Sequence, residues 1–543
     1  MKKRCLALLL VMVMTISLLS SCSNSGKSEV ENDESKTTDI VESDNDLSET
    51  TEPIVVNYAF ASTWNNLNVL NPTSSYVVEI GNFIFDRIAS QTQDGWVAEA
   101  AESWTFSEDN MSVTIVLRDD MYFHDGEPVT VNDLKTAFRV NFDEDAVCLT
   151  ASKFNLISGT DDNGYCDSLE EAGIVFEDDY TVTINFKEPC SEYTFFTNIV
   201  PYLWILPEHI LADYDTADFL NWDFWTAPIG SGPCVFSEEL AGTEALFYAN
   251  DNYYLGTLQF DQLHLTVVDS STQVAQLLAG TIDYDNNGLE YDAVTSLEGV
   301  EGITNEVREG PGYMQFLLIN NDTVDTELRK ALNYCIDKEV LVDSLLNGYG
   351  EVAATAVLST NEYYIDLYEG VQLEKADECL ANSDYDGRTL VVGTTSAREN
   401  IVVMLQQMWS AAGISVEIQT GDVATCISGL MDGTIDMCIL GSTSTNDVVW
   451  HYSQGFADGN MGNVESTGYT ELYNAYVNAT TEDEQHEAAI AYTQYVYDNM
   501  PCIYLFHKFN FYPHASWISG FGAIGMDEAY NWVIDADAYY ASH

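Results

Sequence analysis

The sequence predicts an α/β protein with more than one lobe, and three observations predict it. The chain has 543 residues, more than a single hydrophobic core usually serves. Hydrophobic residues make up 46 % and aromatic residues 12 %, ordinary to high for a globular protein with a real core. From Ile54 onward, segments that alternate with a period of two are interleaved with segments that repeat every 3.6 residues.

The N-terminus is a processing segment. Lys2, Lys3 and Arg4 precede an apolar run from Leu6 to Leu19, which ends in Leu19-Ser20-Ser21-Cys22. A basic start, a short apolar stretch and small residues before a cut site make a secretory signal over residues 1–21. The run is shorter than the roughly 20 residues a membrane span needs. The Leu-Ser-Ser-Cys ending resembles the bacterial lipobox, in which the cysteine becomes the lipidated first residue, here Cys22. Residues 22–53 are rich in Ser, Thr, Asn, Asp and Glu and nearly lack large apolar side chains, so they read as a disordered tether. The expected location is extracytoplasmic, lipid-anchored to the cell membrane.

The body begins with a strand at Ile54–Phe60. Met111–Leu117, Thr181–Phe186, Ala245–Ala249 and Gln262–Val267 read as further strands. Glu327–Leu346 carries Leu328, Ala331, Leu332, Cys335, Ile336, Val340, Leu341 and Leu345 close to a 3.6 period and reads as one helix. Asn400–Ala412 repeats that pattern, and Gly413 stops it before a strand at Ile414–Ile418. Glu484–Asp498 is another helix, with Pro501 beyond it.

Charge narrows the function classes. Acidic residues number 87 against 19 basic ones, a net of −68. Such a surface repels nucleic acid and anionic headgroups. It serves solubility in a cation-rich exterior, or attracts cationic ligands such as basic peptides or amines. Of eleven cysteines, Cys5 would leave with the signal and Cys22 would carry lipid. The nine others (Cys148, Cys166, Cys190, Cys234, Cys335, Cys379, Cys426, Cys438 and Cys502) show no C-x-x-C spacing, and their odd number argues against a complete disulfide framework. Several, such as Cys438 in Met437-Cys438-Ile439-Leu440, read as small buried hydrophobes. Free thiols in an exported protein point to a low-oxygen habitat.

Three ordered segments go beyond fold class. The first is Ala101-Glu102-Ser103-Trp104, Leu117-Arg118, then Phe123-His124-Asp125-Gly126-Glu127-Pro128-Val129-Thr130 and Asp133. The second is Pro228-Ile229-Gly230-Ser231-Gly232-Pro233 with Asn250-Asp251-Asn252-Tyr253-Tyr254. The third runs from Leu328-Arg329-Lys330-Ala331 to Ile336-Asp337-Lys338. Physically these are mostly scaffold. His124-Asp125-Gly126 is a tight turn in which glycine takes positive φ, and Thr130 is an N-cap with Asp133 in its first turn. Gly230 and Gly232 allow a close backbone approach, and Arg329, Asp337 and Lys338 are expected to pair locally on one helix.

Together the three segments resemble the extracellular solute-binding proteins of family 5, the oligopeptide-, dipeptide- and nickel-binding components of ABC importers. The resemblance implies a two-lobed periplasmic-binding-protein-like fold of the class II type, in the large family 5 variant with an extra subdomain in lobe I. It places lobe I at 54–312, with the subdomain at about 79–227, lobe II at 313–510, and a return to lobe I at 511–543. Crossings near Gly310-Pro311-Gly312 and Phe509-Asn510-Phe511 would be the hinge, and ligand would be enclosed between the lobes.

The same resemblance implies the candidate site. Peptide-binding members hold the α-ammonium with an aspartate in a G-W-x-A-D-Y segment. The equivalent stretch is Gly441-Ser442-Thr443-Ser444-Thr445-Asn446-Asp447, with Ser442 at the tryptophan position and Thr445 at the aspartate position. An unpaired buried ammonium costs several kcal/mol or more. Either Asp447, two residues late, substitutes, or the ligand has no free amino terminus there. The hydroxyl-rich loop also suits a sugar, or is a solvent loop capping a helix near Asp447. Trp64, Asn65 and Asn66, which follow the first strand, would line the cleft with Tyr313, Gln315 and Trp450. Aromatic walls with polar groups between them fit peptides and carbohydrates alike.

No HExxH, G-x-S-x-G or P-loop pattern appears, and the eight histidines show no ligand spacing, so no catalytic residue, cofactor or metal site is expected. A nickel role stays open through the family, with His451 near the loop. The expected function is capture of a small polar solute, an oligopeptide first and an oligosaccharide second, for delivery to ABC permease subunits. Feeding a receptor instead is the alternative. The expected protein is no enzyme, binds no nucleic acid, meets the membrane only through its lipid, and is a monomer.

Overall fold

The strands expected at 54–60, 245–249 and 262–267 become part of one large sheet. The computed structural model describes residues 52–543 except 65, 73, 93–94, 241, 270, 290, 444–446, 450, 458 and 522–528. The signal, the tether and Cys22 lie outside the described residues. Among the described residues the sheet has eleven strands. In chain order they are β1 (Val55–Phe60), β2 (Cys234–Leu240), β3 (Glu244–Ala249), β4 (Gln262–Val267), β5 (Tyr284–Asp285), β6 (Ile303–Ile319), β7 (Gly350–Val352), β8 (Leu390–Thr394), β9 (Val416–Thr420), β10 (Met437–Thr443) and β11 (Cys502–Ala515). Their order across the sheet is β9-β8-β10-β6-β11-β5-β1-β4-β3-β2, with β7 beside β11.

Two long antiparallel strands, β6 and β11, join two separate cores. Around β1 lie Tyr58, Phe60, Trp64, Phe83, Trp204 and Trp532, the core of lobe I. In lobe II, alternate residues of β6 enter cores on opposite faces of the sheet. Leu317 and Ile319 pack with Leu332, Val392 and Trp409, while Met314, Phe316 and Leu318 pack with Tyr469, Tyr476, Tyr492 and Tyr504. Burial on both faces explains the continuous apolar run Phe316-Leu317-Leu318-Ile319. Between the cores the β6–β11 register shifts. Arg308 pairs with Asn510, but the next pair is Tyr313 with Lys508, so 309–312 oppose a single residue of β11.

Within lobe I, Ala101–Phe106, Ser112–Leu117, Thr181–Asn185 and Ile174–Phe176 form a separate antiparallel four-stranded sheet. The glycine motif locks the main lobe together. A Cβ on Gly230 would lie 1.8 Å from the Ile84 carbonyl oxygen, and one on Gly232 2.6 Å from the Ile84 carbonyl carbon. His124 accepts from the Gly230 N–H at 3.3 Å, and its Nε2 lies 3.0 Å from the Gly232 carbonyl. Thr130 and Asp133 form a capping box, as their spacing predicts.

The described helices used below are α1 (Glu192–Asn198), α2 (Thr326–Tyr334), α3 (Lys338–Leu346), α4 (Glu399–Ala411), α5 (Thr467–Val477) and α6 (Glu482–Asn499). Gly413, at φ +81°, ends the α4 turn as expected. The single helix expected over Glu327–Leu346 is corrected to two. Asp337 breaks it by accepting from the Val340 N–H at 3.0 Å as the N-cap of α3. The local pairing of Arg329, Asp337 and Lys338 does not form either. Arg329 donates to the carbonyls of Met500, Val324 and Asn499 at 2.8, 2.7 and 3.0 Å, and Lys338 to that of Ala353 at 2.8 Å. The carbonyls of Asn499 and Met500 at the end of α6 need donors, and Arg329 supplies them. The nine described cysteines are free thiols. Among the described residues, no helix is long and apolar enough to cross a membrane.

Candidate functional site

Strand direction puts the site at the crossing. β1 is parallel to β4 and β5, and β8 is parallel to β9 and β10. β5 is antiparallel to β11, and β10 is antiparallel to β6. The carboxyl ends of β1, β4 and β5 therefore point toward lobe II, and those of β8, β9 and β10 toward lobe I. Open α/β sheets bind ligands outside the carboxyl ends of their strands. Here two such edges face each other across β6 and β11.

The lobe I edge is a network of amides and carboxylates. Asn287 Oδ1 accepts from the Ala61 N–H at 2.8 Å and the Tyr76 hydroxyl at 2.9 Å. Asn287 Nδ2 donates to Asp285 at 2.7 Å, and Gln273 donates to the same oxygen at 3.3 Å. Asn286 donates to Glu79 at 2.7 Å, and the Tyr58 hydroxyl donates to the other Glu79 oxygen. Burial pushes the Asp283 and Asp285 carboxyls up to about 6, against the hydrogen bonds they accept.

The lobe II edge is built around Tyr313. The Arg398 guanidinium, just before α4, donates to the Tyr313 hydroxyl, and Lys508 Nζ lies 5.8 Å from the ring centroid. The ring rests on Gly441, where a Cβ would come 2.2 Å from the hydroxyl oxygen. Gln315 is buried and donates to the Leu440 carbonyl. Gly441, Ser442 and Thr443 continue β10 in register with Gln315, Met314 and Tyr313. The loop expected from Gly441 onward is corrected to a strand as far as Thr443, because β6 supplies the hydrogen-bonding partner.

Asp447 lies at the meeting of the lobes. Its Oδ1 accepts from the Val449 N–H at 3.0 Å, and its carboxylate accepts from the Tyr193 hydroxyl of α1. Burial pushes its pKa above the ordinary carboxylate value, and these hydrogen bonds oppose that rise. The Tyr193 and Tyr476 rings meet edge to face at 4.9 Å.

The expected residues separate into groups. Tyr313, Gln315 and Ser442 share the β6–β10 edge, and Thr443 ends the same strand. Trp64 is fully buried in lobe I, donating to Glu239 at 2.7 Å, so it supports an edge rather than presenting a face. Asn65, Thr445 and Trp450 lie outside the described residues. His451 is buried in lobe II, with Nδ1 2.8 Å from the Tyr504 hydroxyl. Among the described residues, no cluster of three or more His, Cys, Asp or Glu side chains is placed to hold a metal.

Sequence reading missed Arg398, Lys508 and Tyr193. The one available signal for Arg398 was the rarity of basic residues beside a strand end. Tyr193 carries no signal, because its partner is 254 residues away.

Two lobes joined by paired strands, with polar strand ends facing across the junction, define a solute-binding protein. The chain belongs to the bacterial extracellular solute-binding proteins of family 5, whose middle region matches residues 95–463. That is a family of binding proteins rather than enzymes. The chain is 27 % identical over 377 residues to the oligopeptide-binding protein AppA of Bacillus subtilis (strain 168), spanning 65 % of this chain and 66 % of that one. It is 21 % identical to the heme-binding protein A of Haemophilus influenzae over 80 % of this chain and 83 % of that one. The fold is similar to that of Bacillus subtilis AppA solved with a nonapeptide, at TM-score 0.65 and 19 % identity, over 89 % of this chain and all of that one. It is also similar to the unliganded open form of the periplasmic murein tripeptide-binding protein MppA, at TM-score 0.75 and 16 % identity, over 89 % and 98 %.

Proposed function

We propose that this protein is the lipid-anchored solute-binding component of an ABC importer, and that its solute is an oligopeptide. Lobe I at 54–312 with the return at 511–543, and lobe II at 313–510, would close about the register shift at 309–312 and pass the solute to permease subunits. Cys22 would carry the lipid. The observation that carries the peptide reading is Arg398. It is partly exposed beside the strand ends, and among the described residues it has no carboxylate partner, in a chain with 87 acidic residues. A guanidinium whose partners are a phenol and, at 3.5 Å, the Thr395 hydroxyl is a receptor for a planar anion, and a peptide's terminal carboxylate has that geometry. The names of the relatives, several of them peptide-binding proteins, support the same class.

The test is a thermal-shift and titration screen of the full chain against synthetic peptides with free and amidated carboxyl ends, and against oligosaccharide pools. Ligand binding to the folded state raises the melting point. Free-acid peptides are expected to stabilise the protein. Arg398→Gln is expected to weaken them about tenfold or more while leaving amidated peptides unchanged. Stabilisation by sugars and not by peptides would overturn the reading.

A further inference from the structure

Among the described residues, no strand joins the lobes where α1 meets α5; side-chain chemistry does. Val477 is the last residue of α5, so its carbonyl has no intrahelical donor. The hydroxyls of Thr194, at 2.7 Å, and Ser191 both donate to it from lobe I. Between them on α1, Tyr193 lays its ring against Tyr476 and sends its hydroxyl to Asp447. Three residues at the start of one short helix, its N-cap included, thus reach two segments of lobe II. The carboxylate nearest the end of β10 is engaged by the protein itself.

We propose that Tyr193, flanked by Ser191 and Thr194, is an inter-lobe latch that occupies Asp447, so that this carboxylate serves closure and does not read a ligand's amino terminus. Tyr193 is a positioning residue in this scheme. It keeps Asp447 turned toward lobe I, and ligands with a blocked amino end are accepted as readily as free ones. The ligand part rests on the peptide reading above; the latch part does not.

Tyr193→Phe keeps the ring contact and removes only the hydroxyl. In the ligand-free full chain, amide exchange over 190–199 and 470–479 is expected to speed up about tenfold in this variant. Binding is then compared for synthetic pentapeptides with free and with N-acetylated amino ends. Wild type is expected to bind both within about twofold, whereas Tyr193→Phe, with Asp447 released, should favour the free amine about tenfold. Thr194→Val removes a latch bond but leaves Asp447 engaged, so it should speed exchange without changing that ratio. Unchanged exchange in Tyr193→Phe, or a tenfold free-amine preference already present in wild type, would overturn the proposal. If no pentapeptide binds, the peptide reading fails, and the exchange measurement still decides the latch.

Discussion

The ionisable side chains buried near β1 and β5 in lobe I are mostly carboxyls, whereas those buried in lobe II are mostly bases. Near β1 and β5, lobe I buries the carboxyls of Glu79, Asp86, Asp283 and Asp285, surrounded by amides and phenols that donate to them. Lobe II buries Arg329, Lys338, His451 and His507, and one carboxylate, Asp436, that Arg388 pairs. Its two long cations cap backbone carbonyls, three of them at Arg329. The difference teaches how a chain of net −68 distributes its few bases. Two of the scarcest side chains go where a helix end or a chain crossing leaves acceptors that water cannot reach.

The largest expected effect tests lobe II. Arg329→Met leaves those carbonyls without their donor, and a buried unsatisfied group costs about 1–3 kcal/mol. A loss of about 3 kcal/mol or more is expected in urea unfolding. A loss below about 1 kcal/mol would show that the carbonyls find other donors.

The next effect is a pair of opposite acid responses. Burial holds His451 and His507 down at about 4 in the folded state. As pH falls through the usual histidine value of about 6.5, the unfolded chain takes protons first and stability drops. The full loss, reached near pH 4, is about 3 kcal/mol per group. Asp283 and Asp285 sit at about 6 instead of 3.8. There the folded chain takes protons first, so stability rises as pH falls from about 6 to 4, by a similar amount per group. Stability–pH profiles of His451→Phe and Asp285→Asn should therefore depart from wild type in opposite directions over pH 4–6.5. Parallel departures would break the comparison.

The smallest effect probes the facing edges. Lobe I holds its edge by hydrogen bonds through Asn287, whereas lobe II rests Tyr313 on Gly441. Gly441→Ala forces the ring away and costs about 1–3 kcal/mol. The Arg398–Tyr313 bond should be lost in a crystal structure of that variant.

Much of the frame was legible because its signals are local. The strands at Val55–Phe60, Ser112–Leu117 and Gln262–Val267 follow from alternation, and α4 from its period and Gly413. The capping box at Thr130 and Asp133 follows from spacing alone. The break at Asp337 was hidden because the apolar period continues across it, while the cap depends on one side chain's choice of partner. The placement of Trp64 was hidden for a related reason: Glu239, its partner, lies 175 residues along the chain.

Sequence alone determined the family, the α/β alternation and the turn and cap chemistry, since each depends on residues within a few positions of one another. Tertiary structure alone decided that two sets of parallel strands end face to face, that Arg398 leans on Tyr313, and that Tyr193 reaches Asp447. Those relations depend on the direction of β6 and β11 and on contacts between residues far apart in the chain, and no local pattern encodes either.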